Sequence, residues 1–547
     1  MATPTLGQFL VAVDGFVQAR NEEQLADYLA LEPPFGGLYQ TMIGELQRAY
    51  PKGREDALED YCSRNLRQAK EGAEGATWTP FVRFMAQYLA YLRDVDADPS
   101  KYLDTYNLLS ELQQRANSAL THASLGYMML PIVVTNAKLV CRLAIGLDKR
   151  PDLIAHLRST QPGGGGGDEG GQTETLPERA ANIIRVAFTT CLNDRTGPLT
   201  GLKDGKPDGK KRGIYMLANL CLKILFQCRK TRNAGQIFEN IYNQSPPLNA
   251  YPKREQVTYL YYLGRFLFQN SHFYRAQQAL QYAYDESPSY GECIRQRRLI
   301  LVFLIASNII LGRFPSDQLL NRPEAQGFRE RFLPLCLAIR QGNLAAFRQH
   351  LAFDSPHADW FLHFRILLQL RNRCEVLVWR SLMRKTFILG GVDPTRSDPS
   401  TNRAPTLDIN LLVIAFTFLE RQALQSSEYT DPDFEGVESE QDDSDNPLLP
   451  DTLSVESMLM SLIQQGLLRG YVSHDRLKYA VNGTKKFGSA VNAGFAQPWA
   501  VLSSKGDDEV PGWKKPAVQT MGSIGGQKAG AGMIINLSGA RPVGAFG

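Results

Sequence analysis

From Thr5 to Gln465 apolar residues recur at three-to-four spacing, and strict two-residue alternation is almost absent before residue 467. A chain with that period in segment after segment buries its apolar stripes by stacking helix on helix. Helices are predicted at 5–31, 55–70, 78–94, 102–147, 178–193 and 214–230. The most apolar run, LILVFLIASNIIL at 299–311, is thirteen residues long, which suits a buried core helix rather than a membrane span. The apolar stretch near Tyr127 is interrupted by Asn136, Lys138 and Arg142, so no membrane insertion is expected.

One stretch carries a repeat signature. In YLYYLGRFLFQNSHFYRAQQALQYAYDESP, Leu263 and Gly264 are followed by Ala276, Leu280, Ala283 and Pro288. This order of small, large, small and Pro fits a tetratricopeptide-like helix pair. Gly264, Ala276 and Ala283 would let two antiparallel helices approach closely, and Pro288 would end the second. Segments 234–243, 295–311, 328–341 and 343–352 have the lengths of further helices. Together they predict a degenerate, right-handed solenoid.

The last third changes character. Helices are expected at 360–370, 374–387, 407–422 and 454–465, with Ser454 as an N-cap and Gly466 as a terminator. LLRGYVSHDRLKYAVN then reads as strand, turn at His474–Asp475, strand. Helices followed by a two-stranded hairpin describe a winged helix. Composition breaks divide the chain into an N-terminal helical region (1–160), a Gly-rich linker (161–177) and a helical-repeat part (178–355). A winged-helix part (356–482) with an acidic insert (426–450) and a disordered tail (483–547) complete it.

Catalytic signatures are missing: the sequence has no HExxH, GxxxxGK[ST], GxSxG or Asp-rich calcium loop. His357 and His363 flank Trp360, but six-residue spacing puts them on different helix faces. The eight cysteines form no CxxC pair, and several lie in apolar runs, as expected of reduced core residues in an intracellular protein. No catalytic residue, metal or cofactor is expected.

A net charge of +4 over 547 residues excludes a protein that coats polyanions along its whole surface. The near-neutral total hides an uneven distribution. Residues 422–468 contain eleven acidic side chains and no Lys or Arg, whereas 469–547 contain ten basic and four acidic. Three basic clusters stand out. One is Lys203, Lys206, Lys210, Lys211 and Arg212. A second is Arg371, Arg373, Arg380, Arg384 and Lys385. The third, on and beside the hairpin, is Arg469, Arg476, Lys478, Lys485 and Lys486. Clusters two and three offer phosphate contacts of the sequence-independent kind, with Arg380, Arg384 and Lys385 as the secondary contributors. Tyr471 and Tyr479 stand beside the third cluster as either surface or core.

A degenerate helical solenoid capped by a winged helix is the PCI-domain architecture. The runs at 254–286, 298–320, 338–351 and 462–481 resemble the PCI-domain-containing-protein-two group, which includes the PCI subunit of the TREX-two mRNA export complex and the COP-nine signalosome subunit-twelve homologues. The resemblance is strong over 178–481 and weak over the N-terminal helices. It implies a nonenzymatic scaffold whose winged helix packs beside that of a GANP-like scaffold protein, with a small acidic DSS-type peptide, shared with the proteasome lid, stabilising the assembly. The paired winged helices would present a basic surface to RNA or DNA. The complex would couple transcription to mRNA export in the nucleus, including the nuclear pore, with the cytoplasm also allowed. A signalosome- or splicing-linked subunit is the alternative within the fold. A stand-alone tetratricopeptide adaptor is the alternative from another class; it predicts repeats of even quality, and only one good repeat is present.

Overall fold

The computed structural model describes residues 4–67, 77–96, 98, 101–150, 152–153, 175–198, 200–289, 291–394, 403–426 and 449–505. The first helices are α1 (Pro4–Gln18), α2 (Glu22–Tyr28), α3 (Gly37–Ala49), α4 (Glu55–Asn65), α5 (Thr79–Asp94), α6 (Tyr102–Leu120) and α7 (Leu130–Asp148). After the linker come α8 (Leu176–Leu192), a two-residue hairpin β1 (Leu202–Lys203) and β2 (Lys206–Pro207), then α9 (Ile214–Gln227) and α10 (Gly235–Gln244). The repeat region holds α11 (Lys253–Gln269), α12 (Phe273–Glu286), α13 (Ile294–Ile310), α14 (Asp317–Leu320), α15 (Phe328–Gln341) and α16 (Leu344–His350). The C-terminal part holds α17 (Ala358–His363), α18 (Leu367–Gly390), β3 (Thr406–Asp408), α19 (Ile409–Ser426), α20 (Thr452–Gln465), β4 (Gly470–Ser473) and β5 (Lys478–Val481). It closes with α21 (Thr484–Phe487), α22 (Ala490–Gly494) and α23 (Pro498–Ser504). An all-α solenoid is the observed class.

The linker divides the sequence but not the fold. The Tyr106 hydroxyl donates to Leu176 O at 3.2 Å and Asn117 Nδ2 to Ile183 O at 2.9 Å, tying α6 to α8. Helix α8 starts where it does because Thr175 and Glu178 cap it reciprocally. The segment 126–148 is long and apolar enough to cross a membrane, yet most of it is buried among neighbouring helices. Asn136, fully buried, donates to Leu109 O at 3.1 Å, which places that polar group inside a protein core.

The signature pair forms as read. Gly264, Ala276 and Ala283 are buried on α11 and α12. A Cβ at Gly264 would lie 2.5 Å from Leu280 Cγ, so it is Leu280 that occupies the space glycine leaves. The run at 299–311 becomes the buried helix α13. Its N-terminus is pinned by a buried network. Arg297 donates to Glu324 at 3.1 Å and stacks on Tyr284 at 4.1 Å, while the Tyr284 hydroxyl donates to Glu324 at 2.7 Å.

The winged helix differs from expectation in four ways. The segments 360–370 and 374–387 are not two matching helices; the break falls at Arg365, in left-handed backbone (φ 56°), and α18 then runs uninterrupted for 24 residues. Helix α20 is capped by Asp451, whose carboxylate accepts the Ser454 N–H at 2.8 Å, so Ser454 lies inside the helix. Gly466 does terminate it, at φ 79°. The sheet has a third strand, ordered β3–β5–β4 and antiparallel throughout, with Leu407 opposite Tyr479 and Tyr479 opposite Val472. Three residues of β3 are too few to show an alternation. Lastly, the region from 483 is not all tail: 484–505 is folded, with Ala490, Ala493, Phe495 and Ala496 buried. Most of the linker and acidic insert, and residues 506–547, lie outside the described residues.

Two stability outcomes follow from the packing. Gly264→Leu should cost about 1–3 kcal/mol through overpacking against Leu280, read as a lower melting temperature; an unchanged melting temperature would contradict the close approach. Glu255, at the start of α11, has Oε2 buried without a hydrogen-bond partner, and burial pushes its carboxyl up to about 7 against the opposing pull of Arg254 and Lys138. The folded state therefore holds this proton more tightly than the unfolded chain, so stability falls as pH rises from about 4.5 to 7. Glu255→Gln should raise the melting temperature at pH 8, leave it unchanged near pH 4.5, and flatten the profile between.

Candidate nucleic-acid interface and partner face

The wing is a four-residue hairpin joined by a turn at 474–477, with Gly470 opposite Val481 and Ser473 opposite Lys478. Alternation sends Tyr479 inward, fully buried, and leaves Tyr471 54% exposed. The Tyr479 hydroxyl donates to Arg469 O at 3.0 Å and so fixes the base of the hairpin.

The five wing-associated cations fall into two groups. At the base, the Arg469 guanidinium lies 4.2 Å from the Phe487 ring centroid, and Lys486 Nζ lies 5.6 Å from the same ring. Lys485 stands next to them, exposed on α21. At the tip, Arg476 and Lys478 are exposed. Three strand steps separate tip from base, about 10 Å. That is the span of a few nucleotides rather than of one phosphate. His474, also at the tip, bonds Glu456 of α20 at 2.8 Å, and this carboxylate holds its imidazole above the usual histidine range.

The secondary contributors separate. Arg384 and Lys385 are exposed on α18. Arg380 is not available to phosphate. Its Nε donates to Ala496 O at 2.9 Å and its Nη2 to Phe495 O at 2.9 Å. Burial, and then the neighbouring Arg384, bring its pKa down to about 10. Arg380 thus clamps the folded segment after the wing. That segment continues onto the solenoid, where Trp499 meets Tyr274 (6.0 Å between rings) and Arg313 (4.4 Å).

Much of the first cluster is also structural. Arg212 makes a bidentate pair with Glu22 of α2, both bonds at 2.7 Å, and Lys210 is buried beside Asp194 at 3.7 Å. Lys211 donates to Leu192 O at 3.4 Å, leaving Lys203 and Lys206 exposed on the small hairpin.

Sequence reasoning missed an apolar face. On α19, Leu412 and Phe416 are buried, but Leu411, Ile414 and Phe418 are exposed, the last two by about two-thirds (65% and 66%). Spacing of three and four places them on one stripe. Leu389 (80% exposed) and Ile388 end α18 beside it, with exposed Val392 just past the helix, since a Cβ on Gly390 would lie 2.8 Å from Leu411. Leu453 and Met460 form an exposed stripe on α20 with Glu456 between them, and Glu456 reaches the wing tip through His474. The signal lay in LDINLLVIAFTFLERQ, which is apolar on more faces than one buried stripe requires. Arg348 fixes α19 by bonding Glu420 at 2.7 Å and Glu375 of α18 at 2.6 Å.

No family model matches the chain. A PCI domain-containing protein of Schizosaccharomyces pombe is 25% identical over 490 residues, 89% of this chain and 95% of that relative. A CSN12 homolog of Gibberella zeae is 30% identical over 300 residues, 54% of this chain and 57% of that relative. PCI domain-containing protein 2 of Danio rerio is 25% identical over 317 residues, 58% and 65% of the two chains. The chain is similar to the PCI-domain group of PCI domain-containing protein 2 and the CSN12 homologs. In the last two comparisons the chain spans less than two thirds of the relative's length. Similarity to PCI-domain proteins supports a scaffold role and agrees with the order solenoid, winged helix, wing.

Arg380→Met should leave the carbonyls of Phe495 and Ala496 without their donor and cost about 1–3 kcal/mol. RNA affinity of the folded variant should stay at the wild-type value. A stable protein with weakened RNA binding would return Arg380 to the phosphate surface.

Proposed function

We propose that this PCI protein is a nonenzymatic scaffold subunit of a TREX-two-like mRNA export complex. Its winged helix pairs with that of a GANP-like partner, and the joint surface binds RNA or DNA. The observation that carries this reading is the exposed apolar face of α18, α19 and α20, reaching through Glu456 and His474 to a wing that bears Arg476 and Lys478. Contiguous exposed apolar patches on a soluble chain mark interaction sites. Here the patch lies on a winged helix, and the cations stand beside it rather than within it. A small acidic DSS-type peptide is the expected third component. The expected place of action is the nucleus, including the nuclear pore, where the complex couples transcription to export. A second reading, a signalosome- or splicing-linked subunit, is favoured by the CSN12 homologs among the relatives.

Nucleic-acid binding should be weak for the subunit alone, tolerant of sequence and steeply salt-dependent, and should strengthen when the partner adds its own cations. The check is RNA binding by the reconstituted complex at two salt concentrations, wild type against charge-reversed Arg476/Lys478/Lys485/Lys486. Loss of affinity with a shallower salt dependence is expected. Intact assembly with unchanged affinity and slope would make the wing a protein-docking element, as the second reading requires.

A further inference from the structure

We propose that Arg229, Arg265 and Arg365, gathered around the rings of Phe226, Phe303 and Phe364, form a second RNA-contacting site on the solenoid, one for unpaired strands. The site requires neither the wing nor a partner protein.

Three separate segments bring the arginines together. Arg265, on α11, lies over Phe226 of α9 at 5.1 Å and over Phe303 of α13 at 5.3 Å. Phe303 packs edge-on against Phe364 at 6.2 Å. Arg229 follows Phe226 by three residues and Arg365 follows Phe364 directly, and both are exposed. Burial, then the charges of Arg229 and Arg265, hold the Arg365 pKa below the usual arginine range, as expected of guanidiniums that share one field.

Like charges gathered in this way are normally neutralised by carboxylates. Elsewhere in this chain Arg212 and Arg297 each pair with one, and Arg348 pairs with two. Among the described residues none of these three makes an ion pair. Arg265 donates to the Tyr261 hydroxyl at 3.3 Å, and its Nε is buried with no acceptor. Arg229 and Arg365 also sit in left-handed backbone, at φ 63° and 56°, just past helix ends. The corresponding positions after α15 and α20 hold Gly342 and Gly466. The helix dipole favours a cation at either place. It does not explain why both converge on a third arginine without a counter-charge.

The surroundings indicate the ligand. Guanidinium edges take phosphate oxygens two at a time. Half-buried Tyr261, Tyr262 and Phe364 and exposed His363 offer ring surfaces on which unpaired bases stack. An acidic peptide would satisfy the charges and leave those rings unused.

The test uses full-length protein and a labelled single-stranded 20-mer RNA, with the same sequence as a duplex for comparison. Arg229→Gly/Arg365→Gly removes two charges and suits the left-handed backbone, so folding is preserved. Single-strand affinity should fall about tenfold, with a salt slope shallower by about 1.4, at ~0.7 per lost phosphate contact; duplex binding should change less. Unchanged single-strand affinity and slope would overturn the proposal. So would a polyglutamate peptide that binds wild type and not the variant while RNA binding stays constant, which would identify a protein ligand. A charge-reversed wing, measured in parallel on the same protein and in the reconstituted complex, separates the two surfaces: if only the wing variant loses RNA, this site falls, and if only the glycine variant does in both settings, the wing reading falls.

Discussion

Burial of α18 along its length is the constraint on which the rest of the structure depends. It buries Leu370, Cys374, Val378, Leu382, Met383 and Phe387, contacts the solenoid helices α13, α15 and α16 as well as α19, α20, α22 and β3, and sets Phe387 against Phe495. The solenoid approaches it tightly at Gly342, where a Cβ would sit 2.5 Å from the backbone nitrogen of Leu382. Only glycine combines that clearance with φ 69°. Arg380 projects from the same helix to hold the chain after the wing, and Glu375 projects from it to hold Arg348 and, through it, α19. A helix shared in this way leaves no hinge between the two halves, so the angle at which the wing is presented is set by the core.

The helical class and the repeat pair were legible because period and small-residue spacing are local signals. Gly264 and Ala276 needed only a helix pair to be interpretable. The continuity of α18 was hidden because RNRC at 371–374 looks like a polar interruption, and nothing in a single helix shows that its neighbours wrap around it. The folded segment 484–505 was hidden for a different reason. Its Gly, Ala and Ser residues carry no period, and it is ordered by groups far away in sequence: Arg380, Tyr274, Arg313 and the backbone at Gly312.

Charge was the least legible property, because composition does not show where a cation spends its hydrogen bonds. Lys210, Arg212 and Arg380 sit in basic clusters as conspicuous as the wing, yet the fold uses all three internally. Arg476 remains exposed because it sits in the turn of the hairpin, and Lys478 because it opens β5 at the solvent end. Arg229, in the short run CRKTR, and Arg365 drew no attention because they lie far apart in the sequence, and they become a group with Arg265 only when α9, α11 and the turn before α18 come together. The exposure of Leu411, Ile414 and Phe418 was likewise hidden, since a helix written apolar on two sides gives no sign of which side is covered.

The proposed pairing puts another winged helix on this second apolar side of α19. Replacing Phe418 with a photo-crosslinking residue in the full-length protein, activating it in cells and identifying the adduct tests that claim most directly. A discrete adduct to a large scaffold protein is expected, with the cross-linked peptide lying in that partner's own winged helix. An adduct within this chain, or one to a protein without a winged helix at the cross-linked site, would contradict it.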